Sequence, residues 1–280
     1  MTRAVSSSAN ERSVDAEVDH RSVSSDMKVL GYFIVAVLAG YIALCFAMYL
    51  FQRSLIYYPQ PRSIARPEST LKLPVDGGDL VVTVRHHDGP KAIVYFGGNG
   101  EDVSHNLADY ANAFPDHALY LMHYRGYGGS TGRPTEKANV ADGISLYNKV
   151  RAAHSDITIF GRSLGSGVAI QVASQVSPTR LLLITPYDSI VEIGAQMYPW
   201  LPVRWLAVDT YESGKFAPRL RVPTTIIAAE NDQQIPYAST TKLLARFAPG
   251  VATMTVIEGV GHNDLEDSKK YRATLQAAFG

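Results

Sequence analysis

Two serines in the sequence have the neighbours that a nucleophilic serine needs. Ser163 lies in GRSLG (161–165) and Ser130 lies in GGSTG (128–132), so both match the pattern G-x-S-x-G. In this pattern small residues let the chain turn sharply from a strand into a helix, which exposes the serine hydroxyl to an acyl carbonyl. The chemistry to consider is therefore acyl transfer through a serine.

The sequence around the two serines separates them. Ser163 follows the apolar run ITIF (157–160) and precedes a helical stretch at 164–176, whereas Ser130 is followed by a glycine and Pro134 without an apolar helix. We therefore predict that Ser163 is the nucleophile and that Ser130 is a serine of a glycine-rich loop.

The general base must be a histidine that reaches the serine hydroxyl. When the nucleophile lies at such an elbow, the chain order is nucleophile, acid, histidine. Of the eight histidines only His262 follows Ser163, and it lies in GVGHND (259–264) directly after the apolar run 253–257. The order predicts His262 as the base.

The acid that orients this histidine should lie between the two residues and follow a strand. Asp232 follows the run 224–228 and is the predicted acid. Asp188, after the run 180–184, is the alternative. Glu230 would still lie at the end of its strand, where its side chain points in a less suitable direction.

A tetrahedral intermediate also needs two backbone N–H donors. Leu164, the residue after the nucleophile, supplies one predicted donor. The second is predicted in GGNG (97–100), which follows the apolar run 92–96, because glycines let the backbone approach a substrate oxygen closely. Asn99 is the first choice there, and Gly98 is the second.

These loops are distant in sequence, so a common scaffold must bring them together. After residue 59 short β-rich runs alternate with helical stretches, which is typical of a mostly parallel sheet with helices on both faces. The predicted strands are 80–85, 92–96, 118–122, 157–160, 180–184, 224–228 and 253–257. The predicted helices are 103–113, 135–151, 164–176, 237–247 and 268–279.

An apolar segment precedes this region. Residues 29–51 carry no charge over 23 positions, which at about 1.5 Å per residue is long enough to cross a ~30 Å hydrocarbon layer. We predict a disordered tail at 1–27, a transmembrane anchor at 28–53 and a catalytic domain at 54–280. A buried core helix is the alternative for the apolar segment. Basic residues flank it on both ends, so the charges favour neither membrane orientation.

A short cap is predicted at about 186–220. Both tryptophans of the chain, Trp200 and Trp205, lie there with several other aromatic residues. Two interpretations stay open: these rings form an apolar wall for an acyl group, or they are ordinary core residues beneath a surface helix.

Composition excludes some function classes. Lysine plus arginine (26) equals aspartate plus glutamate (26), so no strong field favours nucleic acid as a partner. The single cysteine, Cys45, excludes an internal disulfide and a cysteine-rich metal site. The predicted chemistry requires no metal and no organic cofactor.

Four motifs together resemble a known family. They are FGGNG (96–100), YRGYGGSTG (124–132), GRSLGSG (161–167) and GHND (261–264), and they are similar to those of the single-pass membrane proteins of the alpha/beta hydrolase domain-containing group. The resemblance runs from residue 29 to the C-terminus and implies an α/β-hydrolase fold. It also implies hydrolysis of acyl esters or thioesters. Many members have histidine where this chain has Gly97. The glycine lacks the side chain that supports the loop in those members.

We therefore expect a membrane-anchored serine hydrolase that acts, through an acyl-enzyme, on a small-molecule or lipid acyl substrate or on an acylated protein. The segment 29–51 would hold it in the membrane, and no nucleic acid is expected to bind. The alternatives are a serine peptidase-like hydrolase, a lipid-specific lyase and a non-catalytic membrane scaffold that has kept the fold.

Overall fold

The computed structural model describes residues 8–278, and in that part of the chain strands and helices alternate. The strands of this part are β1 (Thr70–Val75), β2 (Gly78–Arg85), β3 (Lys91–Phe96), β4 (Ala118–Met122), β5 (Asp156–Arg162), β6 (Arg180–Ile184), β7 (Thr224–Ala229) and β8 (Ala252–Ile257). The α-helices of the same part are α1 (Ser8–Ile56), α2 (Asn106–Ala113), α3 (Glu136–Arg151), α4 (Leu164–Ala173), α5 (Ile190–Met197), α6 (Val203–Leu206), α7 (Ser213–Phe216), α8 (Tyr237–Leu244) and α9 (Lys269–Ala277).

The strands form one mostly parallel sheet. Their order is β1-β2-β4-β3-β5-β6-β7-β8. Strand β2 pairs antiparallel with β1 and β4, and all pairs from β4 to β8 are parallel. Because parallel strands end at the same edge of a sheet, the loops after β3, β5, β7 and β8 lie at one edge.

Helices cover both faces of this sheet. On β3 the side chains alternate: Ala92, Val94 and Phe96 belong to one buried cluster, and Ile93 and Tyr95 belong to another. Side chains of α3, α4 and α8 complete the first cluster, and side chains of α2 and α9 complete the second. Burial on both faces explains why the central strands have near-continuous apolar sequences.

Each of the seven predicted strands is present, with ends that differ from the prediction by two residues at most. Strand β1 was not predicted. It contains Pro74, which lacks the N–H that a central strand must donate, but β1 lies at the edge of the sheet, where a proline is tolerated. The cap helices α5, α6 and α7 were not predicted either, because eight or fewer residues leave little periodic pattern.

The N-terminal unit of the chain is Met1–Phe51, and helix α1 begins within it at Ser8. The structure therefore differs from the predicted tail, because residues 8–27 are helical; residues 1–7 lie outside the described part. Adding a residue to an existing helix costs far less than nucleating a new one, so the apolar helix can extend into this polar segment. The segment Ser25–Ile56 is long and apolar enough to cross a membrane, with a mean hydropathy of 2.4 in its most apolar window.

The second unit, Gln52–Gly280, contains the whole sheet and also the last residues of α1. Tyr57 is buried in this unit, and its hydroxyl donates to Asp209 at 3.1 Å and contacts the Tyr211 hydroxyl at 3.0 Å. The Arg53 guanidinium pairs with the same carboxylate of Asp209 at 3.0 Å. Residues 52–57 are thus fastened to the core of the second unit rather than forming a free linker.

Candidate active site

Ser163 lies at the tight turn between β5 and α4. Its φ of 52° is in the left-handed region, which is costly for a residue other than glycine. The Ser163 N–H donates to the Ile184 carbonyl of β6 at 2.9 Å, and the Ser163 carbonyl accepts the Ser166 N–H at 2.9 Å. Neighbouring elements therefore hold the serine in this conformation.

Two glycines of the motif are required by close packing at this turn. A Cβ on Gly161 would lie 2.6 Å from the Ala169 Cβ, and a Cβ on Gly165 would lie 2.6 Å from the Gly97 carbonyl oxygen and would overlap the Phe96 carbonyl oxygen. Only glycine lets α4 approach β3 and β5 this closely.

His262 bridges the serine and an acid. Its Nε2 lies 3.0 Å from Ser163 Oγ, and its Nδ1 lies 2.7 Å from Asp232 Oδ2. A carboxylate only accepts hydrogen bonds, so Nδ1 carries the proton of the neutral ring and Nε2 is left as the acceptor for the serine hydroxyl. All three side chains are buried.

Asp232 is fixed by its own loop. Its other oxygen, Oδ1, accepts the N–H groups of Gln234 at 2.9 Å and Ile235 at 2.7 Å. The other two acids considered from the sequence lie elsewhere: Asp188 pairs with Lys242 and Arg246, and Glu230 accepts the Gly259 N–H. The structure thus brings Asp232, and not these acids, to His262.

Ser130 has a different environment, as its sequence context predicts. It is buried in a loop, where its Oγ donates to the His123 carbonyl at 2.8 Å and accepts the Val81 N–H at 2.8 Å. Both bonds connect this loop to the sheet, so the second G-x-S-x-G match is a structural serine.

The loop after β3 lies against the nucleophile. A Cβ on Gly98 would be 3.8 Å from the Ser163 Cβ. The Gly98 N–H, however, donates to Glu101 Oε2 at 2.6 Å, so this amide is not free to bind an oxyanion, and the structure differs here from the prediction. Asn99 lies next along the loop. Leu164 begins α4, and the first N–H groups of a helix have no acceptor within it.

Three contacts replace the support that a histidine at position 97 would give this loop. The Tyr124 hydroxyl donates to the Gly97 carbonyl at 2.8 Å, and the Tyr127 hydroxyl donates to the Asn99 carbonyl at 2.5 Å. The same Asn99 carbonyl accepts the Tyr58 N–H at 3.0 Å. These contacts give the YRGY part of the second motif a structural role.

Glu101, which sequence reasoning missed, organises the polar groups behind this loop. Its Oε1 accepts the Tyr95 hydroxyl at 2.7 Å and the Asn106 side-chain amide at 2.5 Å. Its Oε2 accepts the Gly98 N–H and lies 3.4 Å from Arg162 Nη1. Four donors therefore converge on one largely buried carboxylate.

Arg162, the residue before the nucleophile, was missed as well. Its guanidinium pairs with Glu101, donates to the His262 carbonyl at 3.3 Å and lies 3.5 Å from Glu266. Burial lowers the pKa of Arg162, but the two carboxylates outweigh burial and raise it overall, so the side chain stays charged. One signal was in the sequence: Arg162 is a charged residue that follows the apolar run ITIF (157–160) and Gly161.

The aromatic residues of the cap divide into two groups. Tyr187 and Tyr211 are fully buried core residues, and the Tyr187 hydroxyl donates to the Leu164 carbonyl at 3.1 Å. Trp200 and Trp205 are exposed, so they are not ordinary core residues. Among the side chains that the structure describes, those of residues 25–278, no group of three or more histidine, cysteine or acidic residues is arranged to hold a metal ion.

Known proteins share this sequence and this architecture. The chain is 35% identical over 235 residues to the uncharacterized protein Rv2307c of Mycobacterium tuberculosis, which covers 77% of this chain and 82% of that protein. The chain belongs to the family of that protein. No protein-family model matches the sequence.

Two more distant relatives are named for their domain or their activity. The alpha/beta hydrolase domain-containing protein aho-3 of Caenorhabditis elegans is 28% identical over 163 residues, which are 57% of this chain and 48% of that protein. Lysophosphatidylserine lipase ABHD12 of Macaca fascicularis is 30% identical over 146 residues, which are 45% of this chain and 37% of that protein. The matched segments span about half of the first of these relatives and about a third of the second.

The solved structures show the fold. The Pyrococcus furiosus esterase Pf2001 superposes with a TM-score of 0.66 at 13% identity, over 80% of this chain and 98% of the esterase. The expected α/β-hydrolase fold is thereby confirmed.

Proposed function

We propose that this protein is a membrane-anchored serine hydrolase that cleaves acyl esters or thioesters through an acyl-enzyme intermediate. The hydrogen-bond chain from Asp232 through His262 to Ser163, at the sheet edge where the loops meet, is the observation that carries the proposal. The two distances, 2.7 Å and 3.0 Å, are hydrogen-bond lengths, as general-base activation of a serine requires.

In the first half-reaction Ser163 Oγ bonds to the acyl carbonyl carbon while its proton passes to His262 Nε2. The imidazolium that forms is stabilised by Asp232 at Nδ1. When the carbonyl re-forms, the bond from carbon to the leaving oxygen or sulfur breaks, and Nε2 gives its proton to that leaving group. Water then attacks the acyl-enzyme with the same proton transfers. The steps use only protein groups and water.

The N–H groups of Leu164 and Asn99 are the proposed donors to the tetrahedral oxyanion. Leu164 is the first residue of α4, where the backbone N–H has no acceptor within the helix and the helix dipole also favours negative charge. Asn99 is held from behind, since its carbonyl accepts two hydrogen bonds that fix the direction of the loop. Glu101 and Arg162 act as positioning residues, because their contacts join this loop to the loop of His262.

The membrane anchor is the apolar part of α1. Exposed apolar side chains cover the segment Ser25–Ile56, and such a helix is stable only in lipid or against a partner. Anchoring favours a substrate that lies at the membrane, such as a lipid ester or an acylated protein. The relative ABHD12 is a lysophosphatidylserine lipase, which supports a lipid ester as the substrate.

Labelling by a fluorophosphonate probe tests the nucleophile. Full-length Ser163→Ala should lose all labelling and roughly 10⁴- to 10⁶-fold in kcat, because the residual rate then comes only from binding and the oxyanion donors. Ser130→Ala is the matched control: it changes the other G-x-S-x-G serine and should still be labelled. Labelling that survives in Ser163→Ala contradicts the proposal, and a wild-type protein that is neither labelled nor active is the result expected of a scaffold.

A substrate panel tests the bond that is cleaved. p-Nitrophenyl esters, acyl-thioesters, lysophospholipids and peptide amides should be compared by kcat/KM, and esters or thioesters should exceed the amides. Faster cleavage of the amides would favour a peptidase.

Extraction of membranes at alkaline pH tests the anchor, since an integral protein stays in the pellet.

A further inference from the structure

Four large apolar side chains of the cap are exposed between residues 197 and 208. Met197 is 59% exposed, Trp200 57%, Trp205 90% and Val208 48%. We name these four residues the tryptophan face. Exposing a whole tryptophan to water is costly, and several exposed large apolar side chains within twelve residues are typical of an interaction surface.

The end of the apolar helix contacts the same segment. Gln52 follows directly on Phe51, the last residue of the uncharged apolar segment 29–51. The Gln52 side-chain amide donates to the Leu206 carbonyl at 3.0 Å, and its oxygen accepts the Val208 N–H at 2.7 Å. The backbone on either side of Ala207 is therefore hydrogen-bonded to Gln52, the first residue after the uncharged apolar segment.

That position corresponds to the interfacial layer of a bilayer. The headgroup region is about 5–8 Å thick on each side of the hydrocarbon core, and tryptophans are enriched in it because their rings have an apolar body and a polar N–H. An apolar face bonded to Gln52 cannot lie far outside this layer if the preceding residues span the membrane.

The charges beside the face point to its lipid. Arg204 precedes Trp205, but its Nε and Nη2 groups both donate to Glu192 at 2.8 Å, and the chain as a whole has no net charge. A surface without an excess of positive charge gains little from anionic lipids. A zwitterionic headgroup layer is sufficient.

We propose that the tryptophan face docks in the interfacial layer of the bilayer that α1 spans, so that the cap lies on the membrane surface. This proposal rests on the anchoring part of the proposed function. The cap follows β6, at the sheet edge that carries Ser163, so the docked segment and the proposed nucleophile belong to loops of the same edge.

Intrinsic fluorescence tests the proposal directly, because Trp200 and Trp205 are the only tryptophans of the chain. The full-length protein is reconstituted in phosphatidylcholine vesicles that contain lipids brominated near the headgroup end of the acyl chain. Trp200→Phe and Trp205→Phe each leave one reporter. We expect quenching by the bromolipid and protection from aqueous iodide in both variants.

Other patterns overturn the proposal. Quenching by iodide but not by bromolipid means that the face lies in water, and quenching by neither means that a second protein copy covers it. Alkaline extraction of the same vesicles shows separately whether the anchor is integral, and the fluorescence needs no catalysis. A failure of docking is therefore distinguishable from a failure of the anchor or of the hydrolase.

Kinetics supply a second test. Trp205→Ser should leave kcat/KM on a water-soluble ester unchanged. For an ester embedded in the vesicle it should raise the apparent KM roughly tenfold, which corresponds to removing about a third of the tryptophan ring's apolar area from lipid. Tyr237→Ser is the matched control, since this exposed aromatic residue lies outside the face, at the start of α8. Equal effects of the two substitutions would contradict the proposal.

Discussion

Glu101→Gln tests whether the buried carboxylate behind the oxyanion loop positions that loop for catalysis. The substitution keeps the size of the side chain but leaves one acceptor oxygen in place of two. Tyr95 and Asn106 donate to one carboxylate oxygen, and Gly98 and Arg162 donate to the other. Whichever way the amide turns, its NH₂ group faces two donors.

The expected losses follow from this count. Hydrogen bonds to a charged group contribute about 1.5–3 kcal/mol each, so losing one to two of them costs roughly 3 kcal/mol of unfolding free energy. For a domain of this size that lowers Tm by roughly 6–12 °C. Releasing the Gly98 N–H also lets Asn99 move away from the oxyanion position, and losing one such donor lowers kcat by about 10²-fold.

Asp188→Asn is the matched control for this experiment. Asp188 is also a buried carboxylate facing two cations, Lys242 and Arg246, but it has no contact with the loop after β3. Its substitution should lower Tm while kcat on a short-chain p-nitrophenyl ester stays within about twofold of wild type. If Glu101→Gln lowers Tm without lowering kcat more than the control does, Glu101 is structural and the positioning argument is refuted.

Three other predictions concern separate features. Asp232→Asn should lower kcat about 10⁴-fold by favouring the wrong tautomer of the histidine, and a comparable loss in Asp188→Asn would instead identify that residue as the acid. Gly165→Ala should destabilise the fold by about 3 kcal/mol or more in urea titrations, because its Cβ would overlap backbone atoms of β3. The control Gly100→Ala should cost less than about 1 kcal/mol, because its Cβ would meet nothing closer than 3.7 Å. Similar urea midpoints for the two variants would disprove the packing argument. Burial lowers the pKa of His123 from 6.5 to about 4, so its contribution to stability is complete above pH 6.5 and is lost as the pH falls towards 4, which amounts to about 2 kcal/mol between pH 7 and pH 5. His123→Gln should remove that part of the pH dependence, and an unchanged slope would show that the histidine does not cause it.

The sequence predicted the parallel part of the sheet because strands buried on both faces have short, continuous apolar runs. The edge strand β1 escaped detection, since an edge strand needs neither such a run nor the N–H that Pro74 lacks. The short cap helices depend on tertiary packing, which leaves no periodic pattern in their local sequence.

The site was predictable as far as chain order and strand ends determine it. Context separated Ser163 from Ser130, and the structure brings Ser163 together with His262 and Asp232. The contacts of Glu101 with Gly98 and Arg162 could not be predicted. The Glu101–Arg162 pair joins residues 61 positions apart, and which side chain fills the space beside Gly97 is a property of tertiary packing.

The ion pair between Glu101 and Arg162 has a consequence for how the family can vary. Both partners are largely buried. A change of Arg162 alone removes the cation that pairs with Glu101, and a change of Glu101 alone leaves Arg162 with the more exposed Glu266, so a single change is more costly than exchanging both together. Homologues should therefore show correlated substitution at these two positions: acidic with basic, or both neutral. Transplanting the GRSLG elbow into another scaffold would require Glu101 to be transferred with it.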